Sequence, residues 1–506
     1  MRTLTFSLVL SVLLGGCSQD EKATALDLLQ PCATSDGPTD AYCGTLTVFE
    51  NRETRQGRTI DLKIVVLPAL GSDARPDPLF FLAGGPGQAA AGMARPIRDM
   101  FRRVQADRDI VLVDQRGTGK SHPLECKSGD ESLATLNESD EVGLERLKHC
   151  LAGYDADPSL YTTTIAMDDL NEVREYLGYD QINLYGGSYG TRAALVYLRQ
   201  HGPTVRAVVI DGVAPTDMRL PLFFARDAQR ALDKLIADCD ADGTCRAQYP
   251  NLAERTRALL ARLETSPPRV RLTHPRIGLA EDVTVKAELV VNIIAQALYA
   301  PLTASLIPEL IKRGEANDFQ GLLALAFIGG GDNEMAAGMQ LSVVCAEDFP
   351  RISAQDAEKA SAGTVFAGHL LESRLKACEF WPRGKVDPSY YEPVQSSVPV
   401  LVLSGDLDPV TPPTWGDSVT PHLSNSKHII VPATGHGAIS TGCGMRIVHN
   451  FINSASTETI DTSCLKALKR PPFFLTPAGP DPAGTPGGSP GGSPGGSRGG
   501  SMGTER

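Results

Sequence analysis

The chain has 506 residues, of which 42% are hydrophobic and 21% charged, with a formal net charge of −12. This is the composition of an ordinary soluble globular protein, long enough for one large domain with an insertion or for two to three units. It carries no Lys/Arg-rich block, which argues against a phosphate-binding surface and against nucleic acid as a partner.

Residues 1–17 open with Met1-Arg2, continue as an apolar run from Leu4 to Leu14 and end in Gly15-Gly16-Cys17. A charged start, a short apolar stretch and small residues make an export signal. The run is shorter than the ~20 residues a membrane-spanning helix needs. Leu14-Gly15-Gly16-Cys17 resembles a bacterial lipobox, in which Cys17 is acylated and becomes the new N-terminus; a plain signal peptide with an incidental cysteine is the other reading. Ser18 at the next position favours the outer membrane, so a lipid-anchored protein of the bacterial cell envelope or periplasm is expected. Residues 18–30 read as a tether. Of eleven cysteines, ten remain after Cys17, an even number that suggests disulfides in an exported chain. The simplest pairing is sequential: Cys32–Cys43, Cys126–Cys150, Cys239–Cys245, Cys345–Cys378 and Cys443–Cys464. No Cys/His spacing argues for zinc.

From 31 to 215, short continuous apolar runs at 62–67, 79–82, 110–113, 182–185 and 208–210 read as strands buried on both faces. Helical patterns lie between several of them, including 168–177, which stops at Gly178, and 191–200. The alternation predicts a mostly parallel α/β sheet. It breaks at 216–395, where Ala, Leu and Arg at helical spacing, as in 225–236 and 252–263, predict a helical cap inserted into the α/β domain. Strands resume at 400–403 and 429–431, within a second core segment, 396–475. Residues 476–506 repeat Pro-Gly-Gly-Ser, a composition that buries no core, and read as a flexible tail.

Within this frame, Gly186-Gly187-Ser188-Tyr189-Gly190 joins a strand to a helix and fits a G-x-S-x-G nucleophile elbow. The turn is too tight for side chains two positions either side of the serine. Gly84-Gly85-Pro86-Gly87, after an earlier strand, can present backbone N–H groups, and the N–H groups of Gly85 and Tyr189 are the expected oxyanion donors. Gly119-Lys120-Ser121 lacks the preceding glycine of a phosphate loop, because position 114 is Asp, so a nucleotide site is rejected. A serine nucleophile needs a base and an orienting acid. His436, in Gly435-His436-Gly437 after the last strand, is the expected base; His422 and His428 precede that strand and His449 falls on a helix. Asp408, in Gly405-Asp406-Leu407-Asp408-Pro409, is the expected acid, with Asp406 beside it and Asp211 at another strand end as a rival. Asp211 reads better as a turn-capping carboxylate.

In order, GGPG, DQRGTGKS, GGSYG, GDLDPVTPP and GHG resemble the S33 peptidase group of α/β-hydrolases, which includes prolyl and tripeptidyl aminopeptidases. Cys443 and Arg470-Pro471-Pro472-Phe473-Phe474 also look like the tripeptidyl-aminopeptidase-like branch, and the likeness runs from about Cys43 to Phe474. The resemblance implies an α/β-hydrolase fold with a large helical cap, Ser188, Asp408 and His436 as a triad, no metal or organic cofactor, and short peptides as substrates. It also implies a cap carboxylate that holds the substrate's α-ammonium. Glu347, two residues after Cys345, is the expected one, with Asp348, Asp332 and Glu334 as substitutes. Pro409 stands where prolyl aminopeptidases carry an acid after the catalytic Asp, which argues against strict prolyl specificity. An esterase using the same triad is the alternative function, and a non-catalytic envelope binding protein a further one.

Overall fold

The computed structural model describes residues 25–34, 37–126, 132, 133, 136, 139–327, 335–476, 479 and 480. Cys17, the tether up to residue 24 and most of the Gly/Pro/Ser tail lie outside them, as do Asp332 and Glu334.

The strands are β1 (Gln30–Thr34), β2 (Gly37–Phe49), β3 (Thr59–Leu67), β4 (Leu79–Leu82), β5 (Ile110–Val113), β6 (Ile182–Gly187), β7 (Val205–Asp211), β8 (Arg269–Thr273), β9 (Ala280–Thr284), β10 (Val400–Gly405) and β11 (Ser426–Val431). Nine of them form one sheet in the order β1-β2-β3-β5-β4-β6-β7-β10-β11. From β5 to β11 every neighbouring pair is parallel, while β1, β2 and β3 add an antiparallel edge. The central strands are apolar throughout because both faces are covered. Leu184, Val208, Ile210 and Val402 enter one core, and Tyr185, Val209, Leu401 and Leu403 enter the other. Each fully buried aliphatic side chain contributes roughly 1.5–3 kcal/mol by leaving water. This is the α/β-hydrolase architecture, and it aligns the C-terminal ends of β4, β6, β7, β10 and β11, where loops carry chemistry.

The chain between β7 and β10 builds a second core, in which helices Phe224–Ala241, Leu252–Thr265, Ala287–Ala297 and Ile307–Glu315 bury Leu232, Leu235, Leu259, Ile294 and Ile311 together. This cap is not wholly helical: β8 and β9 form an antiparallel pair within it. A second departure from the sequence reading concerns residues 470–475. They pack on the cap and not on the sheet: Phe473 joins the cap core, the Phe474 N–H donates to Ser305 O (3.1 Å), and Tyr249 donates to Phe474 O (2.8 Å). The five disulfides close in the sequential pattern. Cys345–Cys378 ties two cap helices together, and Cys443–Cys464 pins the chain after the last core helix.

Candidate active site

Ser188 follows β6 directly and caps the helix Tyr189–His201, with φ +55° and ψ −124°. A non-glycine residue pays for that backbone region with strain, and the surroundings must enforce it. The Ser188 N–H donates to Asp211 O at the end of β7 (2.9 Å). A Cβ on Gly186 would collide with Gly190 O, and one on Gly190 with Leu82 O, so the flanking glycines are steric requirements of the turn. The loop after β4 lies against the serine: a Cβ on Gly84 would come 3.2 Å from Ser188 Cβ. Gly85 sits at φ +110°, a conformation only glycine adopts readily. Among the described residues, the backbone N–H groups of Gly85 and Tyr189 meet no protein acceptor.

His436 is held by its backbone and its ring. Its N–H donates to Tyr299 O (2.8 Å), and the Tyr299 ring stands edge-on to the imidazole with centroids 5.1 Å apart. Nδ1 lies 2.8 Å from Asp408 Oδ2 and 3.1 Å from Thr411 Oγ1. With Nδ1–H donating to Asp408, Nε2 is the basic nitrogen. Asp408 is fully buried, and its oxygens also accept from Val410 N–H (2.9 Å), Thr411 N–H (2.8 Å) and the Thr411 hydroxyl (2.8 Å). Burial works against its charge, but His436 and these donors outweigh burial and hold the carboxyl below the usual carboxylate range. Burial likewise opposes the imidazolium, and Asp408 prevails, raising the pKa of His436.

The structure therefore brings Asp408 to His436 and leaves Asp406 aside, where it accepts from Thr434 N–H (3.3 Å) and meets Lys234 (3.3 Å). Asp211 is the turn cap its sequence suggested. Its carboxylate accepts from the N–H groups of Ala438 and Ile439, both at 2.8 Å, and from Tyr185 OH (2.9 Å). One residue thus ties the nucleophile, through its carbonyl, to the loop that carries the base. His428 pairs with Asp417 (2.9 Å) and His449 meets Asn453 (3.1 Å), both away from Asp408. The Ser188 hydroxyl has no hydrogen-bond partner among the described residues. Nucleophile–base contacts often tighten only when substrate binds.

Glu347 is placed otherwise than expected. Its carboxylate is fully buried and accepts from Thr163 N–H (2.7 Å), Thr163 Oγ1 (2.9 Å) and the Tyr390 hydroxyl. Thr163 Oγ1 in turn meets Tyr189 OH (2.8 Å), so Glu347 braces the residue after the nucleophile and offers no open face to an ammonium group. Asp348 is equally occupied, by Arg192 at 2.9 and 3.1 Å. A cap carboxylate turns inward here because Arg192, four residues after Ser188 on the elbow helix, draws the acidic pair down. Only that spacing could have signalled it. Thr411, three residues after Asp408, was also missed; Asp-x-x-Thr is the pattern of a side chain folding back on its own turn.

A strained serine between a parallel strand and a helix, with an Asp–His pair at the ends of the next strands, defines a serine hydrolase of the α/β-hydrolase fold. A family model and two relatives of known class agree. A family model described as TAP-like protein matches residues 364–464. The serine protease Hip1 of Mycobacterium tuberculosis (strain ATCC 25618 / H37Rv) is 24% identical over 86% of this chain and 90% of its own. A proline iminopeptidase of Arabidopsis thaliana is 28% identical over 50% of this chain and 53% of its own. A solved proline iminopeptidase from Mycobacterium smegmatis covers 81% of this chain and 98% of its own at 16% identity, with a TM-score of 0.38. The chain is thus similar to serine peptidases of the S33 type, and its own sheet and site are those of an α/β-hydrolase.

Proposed function

We propose that this protein is an exported serine aminopeptidase that cleaves short peptides from a free N-terminus. The observation that carries the reading is the Asp408–His436 pair (2.8 Å), joined through Asp211 to a strained serine beside two unoccupied backbone N–H groups. Ser188 Oγ attacks the scissile carbonyl carbon while His436 Nε2 takes the hydroxyl proton. Asp408 keeps the proton on Nδ1 and stabilises the imidazolium. The oxyanion that forms is held by Gly85 and Tyr189 N–H groups, and one such donor is worth about 10²–10³ in rate. Collapse expels the amine, which takes the proton from Nε2. Water, deprotonated by the same nitrogen, then hydrolyses the acyl-enzyme and restores Ser188. The cap restricts entry to short chains and supplies recognition of the free amine, with tripeptidyl or prolyl release as the specificities. Acylation of Cys17 anchors the chain to the cell envelope.

Amide substrates of the Ala-Pro-Ala and Pro types, each with a free or an acetylated N-terminus, test this beside a butyrate ester, with Ser188→Ala as the blank. Ser188-dependent cleavage that requires the free amine is expected, and product length separates tripeptidyl from prolyl release. Turnover of the ester alone, or indifference to acetylation, replaces the aminopeptidase with an esterase.

A further inference from the structure

A cavity of about 550 Å³ opens where the cap helices Ala287–Ala297 and Glu372–Cys378 face the helix Asp140–Gly153, which precedes β6. Arg374 stands on its wall. The guanidinium has five N–H donors. Nη1 donates to Leu370 O (3.0 Å), and among the described residues the group meets no carboxylate and no second acceptor. The other charges on the wall are disposed differently, and Arg146 among them is engaged by other groups. Asp140 is bound by Lys376 (2.8 Å) and His369 faces Glu264 (3.0 Å), while Glu288 and Lys286 stand on the wall without an ion pair among the described residues.

The cavity borders the glycine loop after β4: Ala337 on its wall follows Ala336, whose N–H donates to Gly87 O (3.0 Å). The Arg374 charge acts on the Tyr299 hydroxyl, and Tyr299 packs edge-on against His436 while its carbonyl accepts the His436 N–H. Burial lowers the Arg374 pKa, with only Tyr299 acting in the opposite direction. Arg374 is half-buried on the cavity wall, and a partly desolvated cation without an anion carries a cost. Elsewhere in this chain buried arginines have theirs: Arg192 has Asp348 and Arg116 has Asp169.

We propose that Arg374 is a specificity-determining residue that binds a carboxylate of the peptide substrate in this cavity. The proposal rests on the aminopeptidase reading above and names the substrate class: short peptides bearing a carboxylate, either the C-terminal group or an acidic side chain. The unused guanidinium edge suits the two oxygens of one carboxylate. Asn292 and Gln340 on the same wall offer amide groups to a peptide backbone.

The test uses four peptides of one length, all with a free N-terminus: C-terminal acid or amide, crossed with a Glu or Gln side chain. The kcat/KM of the wild-type protein is expected to favour one carboxylate-bearing member by roughly 10- to 100-fold, mainly through KM, as loss of a charge-assisted hydrogen bond implies. The acid/amide pair identifies the C-terminal carboxylate as the ligand, and the Glu/Gln pair a side chain. Arg374→Gln is expected to abolish the ratio and Arg374→Lys to leave an intermediate one. Equal wild-type rates, or a ratio that survives in Arg374→Gln, overturn the proposal. If Arg374→Gln fails to fold, judged by loss of Ser188 labelling with a fluorophosphonate, the wild-type ratio and the Lys variant decide. Cleavage without a carboxylate preference overturns this proposal alone. No cleavage of any peptide, with Ser188 still labelled, overturns the aminopeptidase reading and this proposal with it.

Discussion

Asp408 and Glu347 are both fully buried carboxylates near Ser188, and each accepts hydrogen bonds from a neighbouring backbone and hydroxyl groups. Their protonation is nevertheless pushed in opposite directions. Burial opposes the charge of Asp408, but His436 and two backbone N–H groups win, so its pKa falls. At Glu347 burial dominates and the pKa rises, although Arg192 lies 3.6 Å away. The difference lies in how the nearby cation is shared. Among the described residues Asp408 is the one carboxylate at hydrogen-bond distance from His436, whereas Arg192 spends its donors on Asp348 and on Met218 O. One carboxylate is thus a permanent anion behind a base. The other is a polar clamp beneath Tyr189 that joins the elbow to the cap.

The largest effect is expected on the Asp408 side. Asp408→Asn should lower kcat by about 10⁴-fold, because an amide favours the wrong imidazole tautomer. It should also move the pH profile. His436 works as a base when neutral, so activity rises with pH through a raised imidazole pKa, above the ordinary value of about 6.5. Removing the anion that raises it shifts this limb to lower pH in whatever activity remains. A limb that stays in place would show that Asp408 does not set the His436 pKa. The stability contributed by Asp408 follows its depressed pKa. It is present above the ordinary carboxylate range and lost as pH falls through the folded value.

Next comes the turn between the two regions. Gly190→Ala places a methyl group against Leu82 O, with no flexible side chain to yield. The protein should lose about 1–3 kcal/mol of stability to overpacking. Displacement of Ser188 by about 1 Å should cost on the order of 10² in kcat. Denaturant melts and fluorophosphonate labelling rates measure both, and a normal labelling rate would mean that the elbow tolerates bulk there. Asp211→Asn should be milder. It leaves the N–H of Ala438 or Ile439 facing an amide donor, at a cost of about 1–3 kcal/mol for a buried unpaired group. Because that turn follows His436, kcat should fall by roughly tenfold with little change in KM.

The seven strands read from sequence all occur, since parallel strands buried on both faces leave uninterrupted apolar runs such as 110–113 and 400–403. The strands that were missed are those without such a signal. β2, Gly37–Phe49, mixes Thr, Asp and Gly with its apolar residues on the antiparallel edge, and β8 and β9 expose most of their side chains. The same contrast holds at the site. Ser188, Asp408 and His436 sit in turns whose glycines and prolines are local sequence features, so they could be named from sequence alone. Thr163, Arg192 and Tyr390 meet Glu347 across three separate segments, and nothing local in the chain announces that meeting. An acidic residue two positions after a cysteine suggested an open cap pocket. Only the packing of the cap against the elbow helix turned it into a buried brace.

Glu347→Gln probes that brace and should have the smallest effect on catalysis. Gln keeps the shape and one acceptor while removing a charge that burial disfavours, so kcat should change by less than about tenfold. The clearer signature is in stability. A carboxyl whose folded pKa is raised contributes stability that is full below its unfolded value, and that contribution is lost as pH rises through the folded value. The wild-type protein should therefore lose denaturant resistance relative to Glu347→Gln as pH climbs above about 4.5. The preference for a free over an acetylated N-terminus should be the same in both proteins. If Glu347→Gln erases that preference while leaving the pH dependence of stability untouched, the carboxylate reaches the substrate's ammonium after all. The contrast with Asp408 would then be one between two groups that both act on the substrate, and the elbow would need another brace.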